Sequence, residues 1–289
     1  MMRLFYPDLY RRDVYRHWLT MLLFSLFLGL AACQTTPPTP TEPPPVPTPI
    51  GEVTHPELID EIQWDRSPST VVFRADVTGG TIDDEFYSRN DIPYCTIYGD
   101  NRVVWTTTTI RTDDGVVFDI VSDEQIRLFV DRLTNFYNIY NYKTGADLLV
   151  PSDVEPVVER LTLFVNGNLH QTDSLGGWEY TYFRQILEDC QNISTTPVTF
   201  APDGAWVSAK KVDYDPSHPS ITWDGEAADL KLSDLAASGE RKWITGRNIT
   251  VLWDRLRNNG PDIQFEEGDS TFLAALEVPN ITRSSPPAP

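Results

Sequence analysis

Cysteine, methionine and histidine are scarce in this sequence, at three, three and four residues in 289. That scarcity rules out a cysteine-rich zinc module or a disulfide-dense miniature fold. Positive charge is also in short supply, with 23 Lys and Arg against 42 Asp and Glu and a net charge of −19. Binding to nucleic acid draws its strength from cations that neutralise phosphates, so nucleic acid is excluded as a partner. The sequence motifs that carry familiar chemistry are missing as well. No G-x-G-x-x-G follows a strand pattern, and there is no phosphate loop, no H-E-x-x-H and no G-x-S-x-G. Nucleotide, zincin and serine-hydrolase chemistry therefore have no footing, and no cofactor is implied.

Proline and apolar residues, by contrast, are concentrated at the N-terminus. Arg3, Arg11, Arg12 and Arg16 precede an apolar run of 15 residues from Trp18 to Ala32. A membrane-crossing helix needs about 20 residues, so this run suits an export signal over residues 1–32 better than a span. Leu30-Ala31-Ala32-Cys33 resembles the lipobox of bacterial lipoproteins. The resemblance implies cleavage before Cys33, lipidation of its thiol, and a membrane anchor on the extracytoplasmic side of a bacterial cell envelope. One acyl chain holds a protein marginally and two or more hold it firmly. Residues 33–50 then form a stalk, because the eight prolines between Gln34 and Ile50 favour extended polyproline II and cannot bury a core. Loss of residues 1–32 removes four Arg and two Asp and leaves −21. Anionic lipid would repel such a domain.

Residues 51–280 supply enough apolar side chains for one folded ectodomain, and the Ser-Ser-Pro-Pro-Ala-Pro ending makes 281–289 a disordered tail. Hairpin chemistry recurs. Gly99-Asp100-Asn101 separates two apolar runs, and Asn166-Gly167 is a strong type I′ signal. Ser122 and Gln125 form a capping box ahead of Ile126, Phe129, Val130, Leu133 and Tyr137 at helical spacing. Tyr182 to Cys190 and Asn248 to Leu256 give two more amphipathic helices, the latter capped by Asn248. A hairpin follows each helix, the middle one joining Pro197–Phe200 to Trp206–Val212. Asp131-Arg132-Leu133-Thr134-Asn135 and Asp254-Arg255-Leu256-Arg257-Asn258 hint at a helix–hairpin repeat. The expected fold is α+β: antiparallel sheet or sheets built of hairpins, with three main helices packed on one face.

Few residues are candidates for chemistry. Cys95 and Cys190 both point inward, on a strand and on a helix; they either pair as a disulfide or remain two buried thiols. A bridge closing that loop would stabilise by up to roughly 4.6 kcal/mol in the chain-entropy account. Asp213, Asp215 and His218, with Asp224 further on, could gather oxygen and imidazole ligands in one loop. His218, however, stands where a calcium loop needs glycine, and Asp224 where it needs a bidentate glutamate. Turn formation explains these aspartates as well as metal does, so no metal or catalytic residue is assigned. Asp83-Asp84-Glu85 and Asp113-Asp114 are acidic runs that solvation accounts for. Among the histidines, His55 adjoins the stalk and His170 suits the exposed side of a hairpin. Trp105, Trp206 and Trp253 read as core. Trp64, Trp178, Trp223 and Trp243 lie near element ends, where an indole can pack at a core edge or stack on sugar or peptide.

Ile92-Pro93-Tyr94-Cys95-Thr96-Ile97-Tyr98-Gly99-Asp100-Asn101-Arg102-Val103-Val104-Trp105, Trp243-Ile244-Thr245-Gly246 and Ala275-Leu276-Glu277-Val278-Pro279 resemble segments of a group of uncharacterised bacterial lipoproteins and secreted proteins. The resemblance implies location and domain type and carries no activity. Missing catalytic motifs and an anchored stalk together point to a non-enzymatic binding or envelope-structural protein with a protein or glycan partner. The alternative is an envelope hydrolase with a site near Asp213, Asp215 and His218.

Overall fold

In a computed structural model of the chain, residues 61–79, 85–107, 115–145, 156–260 and 262–289 are described. All lie in the second of two compact units, Glu52–Pro289. Cys33, the stalk, His55, Asp83, Asp84, Asp113 and Asp114 fall outside the described residues, as does the side chain of Glu85.

Seven strands form the first sheet: β1 (Val71–Thr78), β2 (Cys95–Tyr98), β3 (Arg102–Thr106), β4 (Val116–Ile120), β5 (Val158–Val165), β6 (Asn168–Asp173) and β7 (Val198–Thr199). Their order is β6-β5-β1-β2-β3-β4-β7, and every pairing is antiparallel. Alternation decides which side faces inward. Phe73, Ala75, Cys95, Ile97, Val103, Trp105, Leu161 and Leu163 point to one core. Two helices cover that face: α2 (Asp123–Asp131), continued by a π-helical turn over Arg132–Phe136, and α3 (Tyr182–Gln191). A shorter α1 spans Glu85–Ser88. Ser122 and Gln125 make the capping box. Phe129 of α2 meets Phe73 of β1 edge-on, with ring centroids 4.8 Å apart. Cys95 on β2 and Cys190 on α3 form a disulfide across a Cα–Cα distance of 6.4 Å, which ties α3 to the sheet.

The second sheet holds β8 (Gly204–Val212), β9 (Ser220–Thr222), β10 (Lys242–Thr245), β11 (Gln264–Glu267) and β12 (Ser270–Glu277), in the order β10-β8-β12-β11-β9. It is a mixed sheet because β9 runs parallel to β11. Its inner face presents Ala205, Val207, Phe272, Ala274 and Leu276 to a second core, shared with α4 (Leu232–Ser238) and α5 (Arg247–Asn259). The α+β class and the antiparallel hairpin sheet therefore stand as expected, while the helices are shared between two cores and do not lie on one face. The middle hairpin is corrected too. β7 pairs with β4 in the first sheet and β8 with β10 and β12 in the second, so residues 200–203 carry the chain between sheets. Phe200 packs edge-on against both Phe118 and Trp253, which holds that crossing.

Two turn details differ from expectation for physical reasons. In the Gly99-Asp100-Asn101 turn it is Asn101 that takes the left-handed conformation, with φ 69°. Gly99 is needed instead because a Cβ there would fall 2.1 Å from the carbonyl oxygen of Asp65. Helix α5 begins two residues earlier than an Asn248 cap predicts, with Gly246 at its N-cap.

The C-terminal segment is fastened down rather than disordered from residue 281. Ile281 and Thr282 are each only 3% exposed. Arg283 donates in bidentate fashion to Asp76 of β1, at 2.8 and 2.9 Å, and reaches Asp91 at 3.0 Å and the Val77 carbonyl at 2.8 Å. Next to Asp91, the side chain of Asn90 accepts from Leu276 N at 2.8 Å and donates to the Ala274 carbonyl at 3.2 Å. That amide completes the edge of β12 beyond the reach of β11, so one short segment links both sheets. Composition alone hid this, because the prolines that follow mask the anchor formed by Ile281, Thr282 and Arg283. Replacing Arg283 by Ala strands the nearly buried Asp76 carboxylate, and urea unfolding is expected to show a loss of about 3–5 kcal/mol. Arg283→Lys should recover only part of that loss, since an ammonium cannot reproduce the planar fork.

Candidate functional site on the outer face of the second sheet

Strand β8 alternates two kinds of residue. Ala205, Val207 and Ala209 enter the core, and Trp206, Ser208 and Lys210 therefore face outward. Register extends the outer face across three strands. Trp206 stands opposite Trp243 on β10 and opposite Glu277 on β12, and Ser208 is opposite Ala275. Cross-strand partners project to the same side, so Trp243, Trp206 and Glu277 form one row. The two indoles meet edge-to-face with centroids 5.6 Å apart. Gly204 makes room for them: a Cβ there would lie 2.7 Å from Cζ2 of Trp243.

Glu277 is the unusual member of the row. Its side chain is 3% exposed, and Oε1 accepts from Arg241 at 2.9 Å while Oε2 is buried with no hydrogen-bond partner. Burial raises its pKa above the ordinary glutamate value, although the charges of Arg241 and Arg89 pull it down. Arg89 also donates to Ser208 Oγ at 3.4 Å. The C-terminal segment folds back to the same face, where Trp206 Nε1 donates to the Pro287 carbonyl at 2.9 Å. In an acidic protein, this face thus combines paired indoles, arginines and one desolvated carboxylate.

Among the seven described tryptophans, the other five belong to the cores. Trp64, Trp105, Trp223 and Trp253 are buried, and Trp178 packs against the first core, stacked on Phe183. Trp206 and Trp243 belong to neither core and are only half-buried. The core assignment of Trp206 is therefore corrected. The signal for this was legible in Gly-Ala-Trp-Val-Ser-Ala-Lys, where the small apolar residues mark the inner face and leave Trp, Ser and Lys outside. Glu277 and Arg89 carried no such signal.

The Asp213–His218 segment behaves as a turn. Asp213 and Asp215 are exposed, and Asp215 Oδ1 accepts from both N and Oγ of Ser217 at 2.8 and 2.6 Å. Those bonds hold its carboxyl below the usual carboxylate range. His218 Nε2 lies 3.7 Å from Asp215 Oδ2. Asp224 closes a separate turn by accepting from Glu226 N and Ala227 N. Among the described residues no group of three or more His, Cys, Asp or Glu side chains could hold a metal ion. His170 is half-buried, its Nε2 3.0 Å from the Ile139 carbonyl and its ring against Tyr140, so its exposed-strand reading is corrected.

The chain matches no family model, no curated protein and no solved structure. No helix among the described residues is long and apolar enough to cross a membrane.

Glu277 fixes a pH signature. A carboxyl whose folded pKa is raised contributes stability that is full below its unfolded pKa and is lost as pH rises through the folded value. Glu277→Gln removes that loss. The Tm difference between Glu277→Gln and the parent chain should be positive at pH 7 and shrink towards zero near pH 4. A difference independent of pH would show that Glu277 is no more costly to ionise in the fold than in the unfolded chain.

Proposed function

We propose that this chain is a lipid-anchored, non-enzymatic binding domain held on the extracytoplasmic side of a bacterial membrane, and that the outer face of the second sheet is its binding surface. One observation carries the surface assignment: Trp206 and Trp243 are the described indoles outside both cores, and Trp206 already donates to a peptide carbonyl, that of Pro287. Aromatic side chains give large contact area at small entropic cost, which is why they are enriched where proteins bind partners. Residence outside the cytoplasm draws support from the Cys95–Cys190 disulfide, since such bonds persist in oxidising compartments. Attachment through Cys33 follows from the lipobox-like sequence, and the stalk over residues 33–50 gives the domain reach from the lipid surface.

The finer fold reading belongs with this proposal. Asp131–Asn135 and Asp254–Asn258 each sit at or just beyond the C-terminal part of a helix, with Leu133 and Leu256 buried, and an antiparallel hairpin follows each. We read the two helix–hairpin units as a duplicated scaffold.

Two measurements on the chain expressed in a bacterium test the proposal. Detergent phase partition with mass spectrometry of the N-terminus should place the parent chain in the detergent phase, cleaved before Cys33 and acylated there. The Cys33→Ser chain should retain residues 1–32 and carry no acyl group. An unmodified Cys33 in water-partitioning protein would remove the anchor. Hydrolytic turnover abolished by a single substitution at Glu277, Asp215 or His218 would replace the binding role with an enzymatic one.

A further inference from the structure

The peptide that accepts from Trp206 is itself informative, because Pro287 lies in the proline-rich segment Pro286-Pro287-Ala288-Pro289 of the same chain. We propose that the Trp206–Trp243 face recognises an extended Pro-Pro-x-Pro segment of a partner protein, and that the C-terminal four residues occupy that site in cis. This rests on the reading of the face as the binding surface and adds the class of ligand.

The chemistry suits a proline-rich segment. A run of prolines has few backbone N–H groups and forms no internal hydrogen bonds, so its carbonyls are strong acceptors that need an external donor. An indole provides that donor at the edge of a flat apolar ring and accepts nothing in return. The structure shows this pairing in the bond from Trp206 Nε1 to the Pro287 carbonyl. The second indole, turned 66° to the first, offers another apolar wall of the kind on which pyrrolidine rings pack. Gly204 is necessary for that wall, since a side chain there would push Trp243 aside.

The tail is held chiefly by its tether. Residues 287–289 are exposed, and Pro286 is half-buried. The anchor is Arg283, four residues before Pro287, so the tail reaches Trp206 at an effective concentration of about millimolar. Contact that depends on a tether is displaced by a free ligand with more proline contacts. The tail therefore acts as a weak resident ligand that sets the threshold for a partner.

The test uses the full chain in detergent micelles and the same chain ending at Arg283, which keeps the anchor. The probe is the synthetic peptide SSPPAPSSPPAP, and the control replaces each proline by alanine. Binding is read by tryptophan fluorescence and by the Trp206 indole N–H resonance. Removal of residues 284–289 should tighten binding of the proline peptide at least tenfold, and the alanine peptide should bind at least tenfold more weakly. Trp206→Phe keeps a ring and loses the donor; it should weaken binding about tenfold in the shortened chain. Pro287→Ala in the complete chain provides a second variant that leaves the sheet intact, and it should mimic part of the effect of truncation. Equal binding of the two peptides, or no binding of the proline peptide, overturns the ligand assignment. If a non-proline peptide then binds in a Trp243-dependent way, the binding surface survives without its proposed ligand. If no peptide depends on either tryptophan, both fall.

Discussion

A guanidinium drawn out of water needs carboxylates or carbonyls around it, and Arg283 finds them on two different parts of the fold. Asp76 lies on β1, an interior strand of the first sheet, and Asp91 follows Asn90, whose amide is fastened to the last strand of the second. Asn90 also uses its own carbonyl, which accepts from Arg257 of α5. A carboxylate as buried as Asp76 would be costly without this partner, so sequence-distant segments are forced to meet at one place. That node adds to packing that already joins the two sheets, since Tyr98, Val104 and Val116 of the first sheet lie in the second core.

The outer face of the second sheet depends on the same node. Asn90 fixes β12 at Ala274 and Leu276, one residue before Glu277. Arg283 turns the chain back so that its end reaches Trp206. Glu277 then sits in a row with two indoles, its pKa raised by burial and its Oε1 held by one exposed arginine. Such a group contributes little to stability at neutral pH.

Local structure was readable where the cause was local. Ser122 and Gln125 announce their helix through two reciprocal hydrogen bonds three residues apart, and Asn166-Gly167 announces its hairpin because both residues tolerate positive φ. The inward alternation of Cys95 and the helical stripe through Cys190 brought both thiols to one core, although sequence alone left the bond open. The failures came from contacts distant along the chain. β7 pairs with β4, some 80 residues earlier, so adjacency to β8 misled. Asn90 touches β12 across 184 to 186 residues, and no periodicity encodes such a pair. Trp206, an aromatic on a patterned strand, has the look of core, yet the small residues beside it fill the inner face and leave it outside.

What unites these observations is one cooperative unit in which the node presents the tryptophan face. Native-state hydrogen exchange, followed through low concentrations of denaturant, tests that claim most directly by comparing amides of β1 with amides of β12, Leu276 above all. The account predicts that both sets exchange through a single common opening with the same free energy. Exchange of β12 through a separate and cheaper opening, with β1 still protected, would contradict it.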